Sequence, residues 1–91
     1  MNEVRDNPEK QRFELEAGGH VAFSNYTRDG STITFMHTEV PPKLGGRGIG
    51  STLVRGALDL VRAQNLKVTA KCPFVKGYLD KHPEYADLRT P

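Results

Sequence analysis

Apolar and polar residues alternate along the first half of the chain, which is the pattern of half-buried β-strands. The alternation predicts three strands, at residues 12–17, 20–27 and 32–40. In the first strand Phe13, Leu15 and Ala17 share the inward face, and β-branched residues fill much of the third. Glycine-containing turns separate the strands, so the sequence predicts an antiparallel meander.

The second half of the chain changes to a helical period of about 3.6 residues. The apolar positions of this helix cover roughly half of its circumference: Ile49, Leu53, Val54, Ala57, Leu58, Leu60 and Val61. We expect the charged residues Arg55, Asp59 and Arg62 to form a solvated face on the other half. A fourth strand, a second helix after Pro73 and a short helical turn follow, at residues 67–72, 74–81 and 84–88.

A strand, helix and strand of these lengths form a crossover, which makes the fourth strand parallel to the third. The sequence therefore predicts an α+β fold in which helices pack on a four-stranded mixed sheet. Residues 1–91 are expected to form one domain, because a chain of 91 residues supports a single modest core. Residues 1–11 are polar, and we expect them to be a loosely ordered, flexible segment.

Composition excludes few functions. The formal net charge of +2 is too small to indicate binding to nucleic acid or to a membrane. No apolar run approaches the roughly 20 residues of a membrane span. The single cysteine, Cys72, excludes an internal disulfide, and the three histidines show no metal-ligand spacing. We expect a cytoplasmic monomer without a metal.

A glycine-rich loop before the long helix is the strongest candidate for a ligand site. Four of the six residues from Gly45 to Gly50 are glycine, and Arg47 lies among them. Such a loop leaves the first backbone N–H groups of a helix directed at one spot, where the helix dipole also favours an anion. A P-loop would need lysine directly before Ser51, and a dinucleotide fingerprint would need glycine in place of Ser51. We interpret the loop as a site for a phosphate-bearing ligand, and the alternative is a flexible turn.

Residues 37–88 carry a resemblance to a known family. Val40-Pro41-Pro42, then Arg47-Gly48-Ile49-Gly50 and a helix, resembles motif A of the GCN5-related N-acetyltransferase superfamily. The later segments Cys72-Pro73-Phe74-Val75 and His82-Pro83-Glu84-Tyr85 are similar to those of its small, stand-alone members. The resemblance covers more than half of the chain and rests on several separated motifs.

The resemblance implies a minimal acetyltransferase-like fold that binds acetyl-coenzyme A (acetyl-CoA). The pyrophosphate would lie on amides of the glycine loop, and the pantetheine arm would pair with the third strand near its end. The implied cofactor contacts are Val40, Lys43, Gly45, Gly46, Arg47, Gly48, Ile49, Gly50, Ser51, Cys72, Pro73 and Tyr78. In one departure from the family pattern, Gly45 replaces the usual Gln or Arg, and Lys43 or Arg47 would compensate.

Cys72 and His37 are two candidates for the chemistry, each with a structural alternative. Cys72 precedes a helix N-terminus, which favours the thiolate, whereas a free cysteine often only packs in the core. In a regular strand His37 would share a face with Ile33, Phe35 and Glu39. The resemblance implies that His37 takes the proton from an attacking amine, and the alternative is a structural core histidine. A bulge in this strand would turn His37 to the other face.

Tyr78, on the helix after Cys72, is the third candidate. The resemblance implies that it protonates the departing thiolate, and the alternative is a core aromatic residue with its hydroxyl at the surface. The implied reaction transfers an acetyl group to an unidentified amine, either directly or through an acetylated Cys72. The alternative function is non-catalytic binding of coenzyme A or acyl-CoA, because the short chain leaves no evident walls for an acceptor. An anion-binding adaptor for nucleic acid is disfavoured by the modest charge.

Overall fold

The structure is a computed structural model that describes residues 3–45 and 47–90. Within these residues, five strands form one sheet: β1 (Arg5–Asn7), β2 (Arg12–Ala17), β3 (His20–Asp29), β4 (Thr32–Glu39) and β5 (Lys67–Ala70). The helices are α1 (Ile49–Ala63) and α2 (Pro73–Lys81), with short 3₁₀-helices at Pro42–Leu44 and Pro83–Leu88. The strands lie in chain order, and β1 to β4 are antiparallel whereas β5 is parallel to β4.

The sheet has five strands where the sequence predicted four, because the polar start of the chain contributes β1. Arg5–Asn7 pairs with β2, so the expectation of a loosely ordered segment is wrong for these three residues, whereas residues 1–2 lie outside the described residues. A strand of three polar residues shows no hydrophobic alternation by which it could be recognised. Side chains hold it in place: Glu14 of β2 accepts hydrogen bonds from both ends of β1, and Tyr26 donates one to Asp6 at 2.6 Å.

The predicted meander and crossover are confirmed, with small differences at the strand ends. β3 extends beyond its predicted end to Asp29, and β4 ends at Glu39 rather than at the following residue. β5 was expected to reach Cys72 but ends at Ala70. It ends early because the next two backbone N–H groups both turn to the carbonyl of Phe35.

Both helices contribute to one core on a single face of the sheet. The predicted apolar stripe of α1 is buried, apart from the half-buried Leu60. From the sheet, the ring of Phe13 lies 5.0 Å from that of Tyr26 and 5.7 Å from that of Phe35, between ring centroids. Burying such a side chain contributes roughly 1.5–3 kcal/mol. This packing holds α1 across the sheet, with its N-terminus near the carboxyl end of β4.

The polar face of α1 is more than a solvated surface, contrary to expectation. Asp59 accepts a hydrogen bond of 2.7 Å from the Tyr85 hydroxyl. Arg62 donates to the Asp87 carboxylate at 2.8 Å and to the Glu84 carbonyl at 2.9 Å. These contacts dock the C-terminal 3₁₀-helix on α1. Among the residues that the structure describes, no helix is long and apolar enough to cross a membrane.

β4 contains a bulge that changes which residues face the core. Tyr26 of β3 opposes Phe35, and the preceding residue Asn25 opposes His37, so Met36 is an extra residue in β4. The alternation of inward and outward side chains therefore reverses after Phe35. The expectation that His37 shares a face with Phe35 and Ile33 is wrong for this reason.

Candidate functional site

β4 and β5 separate at their carboxyl ends, and this opening is the centre of the candidate site. The parallel ladder ends where Phe35 opposes Ala70. The backbone N–H groups of Lys71 and Cys72 then both donate to the Phe35 carbonyl, each at 3.0 Å. β4 continues beside β3 to Glu39, and no described strand pairs with the other side of this last part. An extended ligand can add to such an edge as a further strand.

The N-termini of both helices lie beside the opening and touch each other. A Cβ atom placed on Gly50 of α1 would lie 2.7 Å from Cζ of Phe74 in α2, so glycine permits this close approach. The first N–H groups of a helix have no partner within the helix, and its N-terminus carries a partial positive charge. Two such ends at one opening favour an anion.

The loop before α1 has the backbone that such a site requires. Gly48 adopts a left-handed conformation with φ 69°, and no side chain caps the helix at this residue. The Gly48 carbonyl instead accepts the backbone N–H and the hydroxyl of Thr52, both at 3.0 Å. Leu44, with 1% of its surface exposed, anchors the preceding 3₁₀-helix in the core. Within residues 3–45 and 47–90, the N–H groups of Ile49, Gly50 and Ser51 have no hydrogen-bond partner, so they are available for a ligand.

The remaining predicted cofactor contacts differ in exposure. Lys43, Gly45, Arg47, Gly48 and Ser51 are exposed around the loop, and Val40 is half-buried at the end of β4. Ile49 and Gly50 are buried, so they can offer only backbone groups. Ser51, Pro73 and Tyr78 line one cleft between α1 and α2. The prediction for Gly46 lies outside the described residues.

Cys72 lies in the core beside the opening, in a chain of polar side chains. It is 3% exposed, and its Sγ lies 3.3 Å from Oγ1 of Thr38. Thr38 Oγ1 in turn lies 2.9 Å from Oγ of Ser24, which is fully buried. Sequence reasoning missed Thr38 and Ser24, because regular alternation would turn Thr38 away from the face of Phe35. A serine at an inward position of β3 was the available signal.

His37 lies on the opposite face of the sheet, away from the helices. Its side chain is 64% exposed, and its Nε2 lies 3.4 Å from a carboxylate oxygen of Glu39, which is similarly exposed. It is therefore not a buried core histidine either. The bulge at Met36 accounts for this position.

Tyr78 is buried against α1 and the end of α2. Its ring stacks on that of His82 at 4.0 Å between centroids and an interplanar angle of 20°, and it lies near Tyr85. Burial raises the pKa of Tyr78, opposed in part by the positive charge of Arg55. The phenol is therefore protonated at neutral pH.

The structure does not bring the three candidate catalytic residues into contact. Within residues 3–45 and 47–90, no hydrogen bond or ring contact joins any two of His37, Cys72 and Tyr78. Cys72 lies at the opening, Tyr78 lies in the adjacent cleft and His37 lies on the other face. Any concerted role would have to act through a ligand that lies between them.

Residues 12–88 match the family model described as GCN5-related N-acetyl-transferase, which is most of the chain. The chain belongs to the GCN5-related N-acetyltransferase family. The resemblance carried by the glycine loop and by the later motifs is thereby confirmed.

Comparison with individual GCN5-related proteins supports the fold over nearly the whole chain. A solution NMR structure of a GCN5-like protein from Staphylococcus aureus matches with a TM-score of 0.73 and 30% identity. The match covers 97% of this chain and 87% of that one.

Two curated relatives match over shorter segments. Protein NATD1 of Xenopus tropicalis is 36% identical over 52 residues, which is 57% of this chain and 48% of that protein. Protein NATD1 of Homo sapiens is 37% identical over 51 residues, which is 56% of this chain and 45% of that protein. The GCN5-related chain described here thus matches about half the length of these curated relatives.

Proposed function

We propose that this protein binds acetyl-CoA at the opening between β4 and β5 and transfers the acetyl group to an amine. The observation that carries the proposal is the early end of the β4–β5 ladder beside two helix N-termini, in a GCN5-related chain. The pantetheine arm would pair with β4 near Val40. The pyrophosphate would lie on amides between Gly45 and Ser51, with Lys43 and Arg47 supplying positive charge.

In the direct route, the acceptor nitrogen forms a bond to the acetyl carbonyl carbon as the carbon–sulfur bond breaks. A base removes a proton from the nitrogen, and an acid protonates the departing thiolate. We assign the acid to Tyr78, because it lines the same cleft as Ser51 at the start of α1 and its phenol can donate a proton. His37 or a water molecule would act as the base. His37 lies on the face of the sheet away from the helices, so it would accept the proton of an amine that approaches from that face.

In the covalent route, the Cys72 thiolate would form a bond to the acetyl carbonyl carbon as the bond to the coenzyme A sulfur breaks, and coenzyme A would leave as its thiolate. The amine would then attack the acetylated Cys72, lose a proton and release the Cys72 sulfur. The position of Cys72 beside the last rung of the β4–β5 ladder supports this route. Its contact with Thr38 supplies a hydroxyl that can donate a hydrogen bond to the thiolate. A Cys72→Ala variant that keeps full turnover would exclude an acetylated Cys72.

A second candidate function is non-catalytic binding of coenzyme A or acyl-CoA. The separation of His37 from Cys72 and Tyr78 favours it, because no pair of candidate catalytic groups is in contact. Release of free coenzyme A thiol that depends on an added amine discriminates the two functions. A pure binding protein would show no such release with any amine tested.

We also propose that the protein acts as a cytoplasmic monomer. Cys72 is buried and unpaired, which is typical of reducing compartments. The apolar stripe of α1 is buried within the chain itself, so a partner is not needed to cover it. Sedimentation of the purified protein tests the monomer.

Calorimetric titration with acetyl-CoA tests the binding site. We expect Arg47→Glu to weaken binding by roughly tenfold or more, because it places a negative charge beside the proposed pyrophosphate position. The control is Arg28→Glu, which makes the same charge reversal in the β3–β4 hairpin. Absence of heat and of any thermal shift for the unaltered protein would overturn the proposal. Equal affinity of the Arg47→Glu and Arg28→Glu variants for acetyl-CoA would show that the binding site is not at the glycine loop.

A further inference from the structure

Lys71 lies at the closed end of the opening between β4 and β5. It directly follows Ala70, which pairs with Phe35 as the last pair of the parallel ladder. The backbone N–H of Lys71 donates to the Phe35 carbonyl at 3.0 Å, which fixes the backbone at this point. Neighbouring strands of a sheet lie about 4.8 Å apart. The Lys71 side chain therefore begins close to the part of β4 that borders the opening.

The Lys71 side chain belongs to the face of the sheet away from the helices. Successive residues of an extended chain point to opposite faces. Ala70 packs against the core and Cys72 is buried in it, whereas Lys71 between them is exposed. His37 is 64% exposed on the same face as Lys71. Lys71 and His37 thus lie on one face, at the two strands that border the opening.

The Lys71 ammonium group has no partner that would hold it elsewhere. Lys67, also on β5, donates to the Asp87 carbonyl at 2.8 Å. Lys76 pairs with Asp80 at 3.1 Å. Among the residues that the structure describes, the Lys71 side chain forms neither a hydrogen bond nor an ion pair. Its flexible four-carbon stem can therefore turn toward the opening.

The proposed cofactor would bring its acetyl group to the same end of the opening. Its pyrophosphate would lie on the loop after β4, and its pantetheine arm would pair with the last part of β4. The arm would then run from the loop back toward the last pair of the β4–β5 ladder. An amine of the same chain at this position needs no encounter from solution, which favours its reaction with the bound acetyl group.

We propose that Lys71 is a site of self-acetylation. The inference rests on the proposed function, because it uses the same bound acetyl-CoA. The neutral Lys71 Nζ forms a bond to the acetyl carbonyl carbon as the carbon–sulfur bond breaks. The nitrogen loses one proton to His37 or to water, and the departing coenzyme A thiolate takes up one proton. The products are an amide on Lys71 and one free coenzyme A thiol.

The test incubates the full chain with saturating acetyl-CoA and no added amine, and measures acetylation of each lysine by peptide mass spectrometry. Treatment with hydroxylamine first removes any thioester on Cys72 and leaves amides intact. We expect Lys71 to be acetylated at least about tenfold faster than Lys10, an exposed lysine at the opposite edge of the sheet. The first-order rate constant should not change with protein concentration, because the amine and the acetyl group belong to one complex.

Two controls separate a bound acetyl donor from general reactivity. Acetic anhydride, which has no coenzyme A part, should acetylate Lys71 and Lys10 to similar extents. At subsaturating acetyl-CoA, Arg47→Glu should slow the acetylation of Lys71 by about the factor by which it weakens binding, roughly tenfold. Arg28→Glu should leave the acetylation of Lys71 unchanged.

The outcomes distinguish this inference from the proposed function. Calorimetric binding of acetyl-CoA together with equal acetylation of Lys71 and Lys10 would overturn the inference and leave the binding site standing. A rate constant that rises with protein concentration would also overturn it, because Lys71 would then react with acetyl-CoA on another molecule. The same preference for Lys71 with acetic anhydride would overturn it as well, since the preference would then be intrinsic to the lysine. Failure of acetyl-CoA to bind would remove the proposed function too.

Discussion

The two faces of the sheet each bury a polar cluster, and the clusters are built differently. On the face away from the helices, the Glu14 carboxylate accepts hydrogen bonds from Arg5, Asn7 and Arg12 at 3.2, 3.2 and 2.6 Å. On the helix face, a chain of two hydroxyl groups and a thiol runs from Ser24 through Thr38 to Cys72, with separations of 2.9 and 3.3 Å. We call these the Glu14 cluster and the Cys72 chain.

The difference between the two clusters indicates a different role for each. In the Glu14 cluster, a carboxylate accepts several hydrogen bonds where β1 pairs with β2 along its whole length. These charge-assisted hydrogen bonds hold the edge strand β1 against the sheet. The Cys72 chain lies where β4 and β5 separate, and its three groups can exchange donor and acceptor roles. The first cluster is therefore structural, and the second is suited to chemistry that changes a proton's position.

The largest effect is expected from removing the Glu14 carboxylate. Glu14→Ala should lower the free energy of unfolding by about 2 kcal/mol, because Arg12 and Asn7 lose their shared acceptor and β1 loses its anchor. Urea unfolding measures the change. Glu9→Ala, at an exposed position outside the strands, is the control and should be neutral. An unchanged midpoint for Glu14→Ala would show that β1 does not depend on this cluster.

The Glu14 cluster also gives the stability a dependence on pH. Burial alone would raise the pKa of Glu14, but the hydrogen bonds from Arg12, Asn7 and Arg5 together lower it below the ordinary value of 4.5. A lowered pKa in the folded state stabilises the protein above the ordinary pKa, and this stabilisation is lost as pH falls below it. Glu14→Gln should therefore lose less stability between pH 6 and pH 3 than the unaltered protein does.

A smaller effect is expected when the Cys72 chain is interrupted. Thr38→Val keeps the shape of the side chain but leaves the Ser24 hydroxyl buried without its partner, at a cost of about 1–2 kcal/mol. The control is Thr34→Val, which alters another half-buried threonine of β4 away from Cys72. Adding Ser24→Ala to Thr38→Val should recover part of the loss, since no hydroxyl is then orphaned. A double variant with the summed losses of both single variants would contradict this account.

The comparison also shows what the sequence could predict. β2 and α1 follow from patterns that each carries within its own residues, alternation around Phe13 in one and the helical period in the other. The glycine loop was identifiable because four glycines within six residues directly precede a helical pattern. β1 and the bulge at Met36 depend on partners that are distant in sequence, Glu14 for one and β3 for the other. No local pattern encodes such contacts.

The same limit applies within the candidate site. Cys72 and Tyr78 were identified by type and position, but their distance from each other and from His37 depends on the bulge and on how α2 packs. The contact between Gly50 and Phe74 is likewise a property of two helices that meet in space. The sequence therefore offered candidate residues for the site, and their roles stay predictions, whereas their mutual geometry could not be predicted.

The smallest effect concerns the backbone of the opening, and it tests whether Gly48 is needed for its conformation. At φ 69° a side chain is strained, so Gly48→Ala should destabilise the protein by about 1 kcal/mol. Gly77, inside α2, has no positive φ and no atom near its missing side chain. Gly77→Ala should therefore stabilise the protein by about 0.5–1 kcal/mol, as alanine does in a helix interior. Thermal unfolding measures both changes in stability. A loss for Gly48→Ala and a gain for Gly77→Ala would show that the loop requires glycine at residue 48, whereas Gly77 only weakens α2. If both variants changed the stability in the same direction, the loop would accept a side chain at Gly48. The left-handed conformation before α1 would then not require glycine.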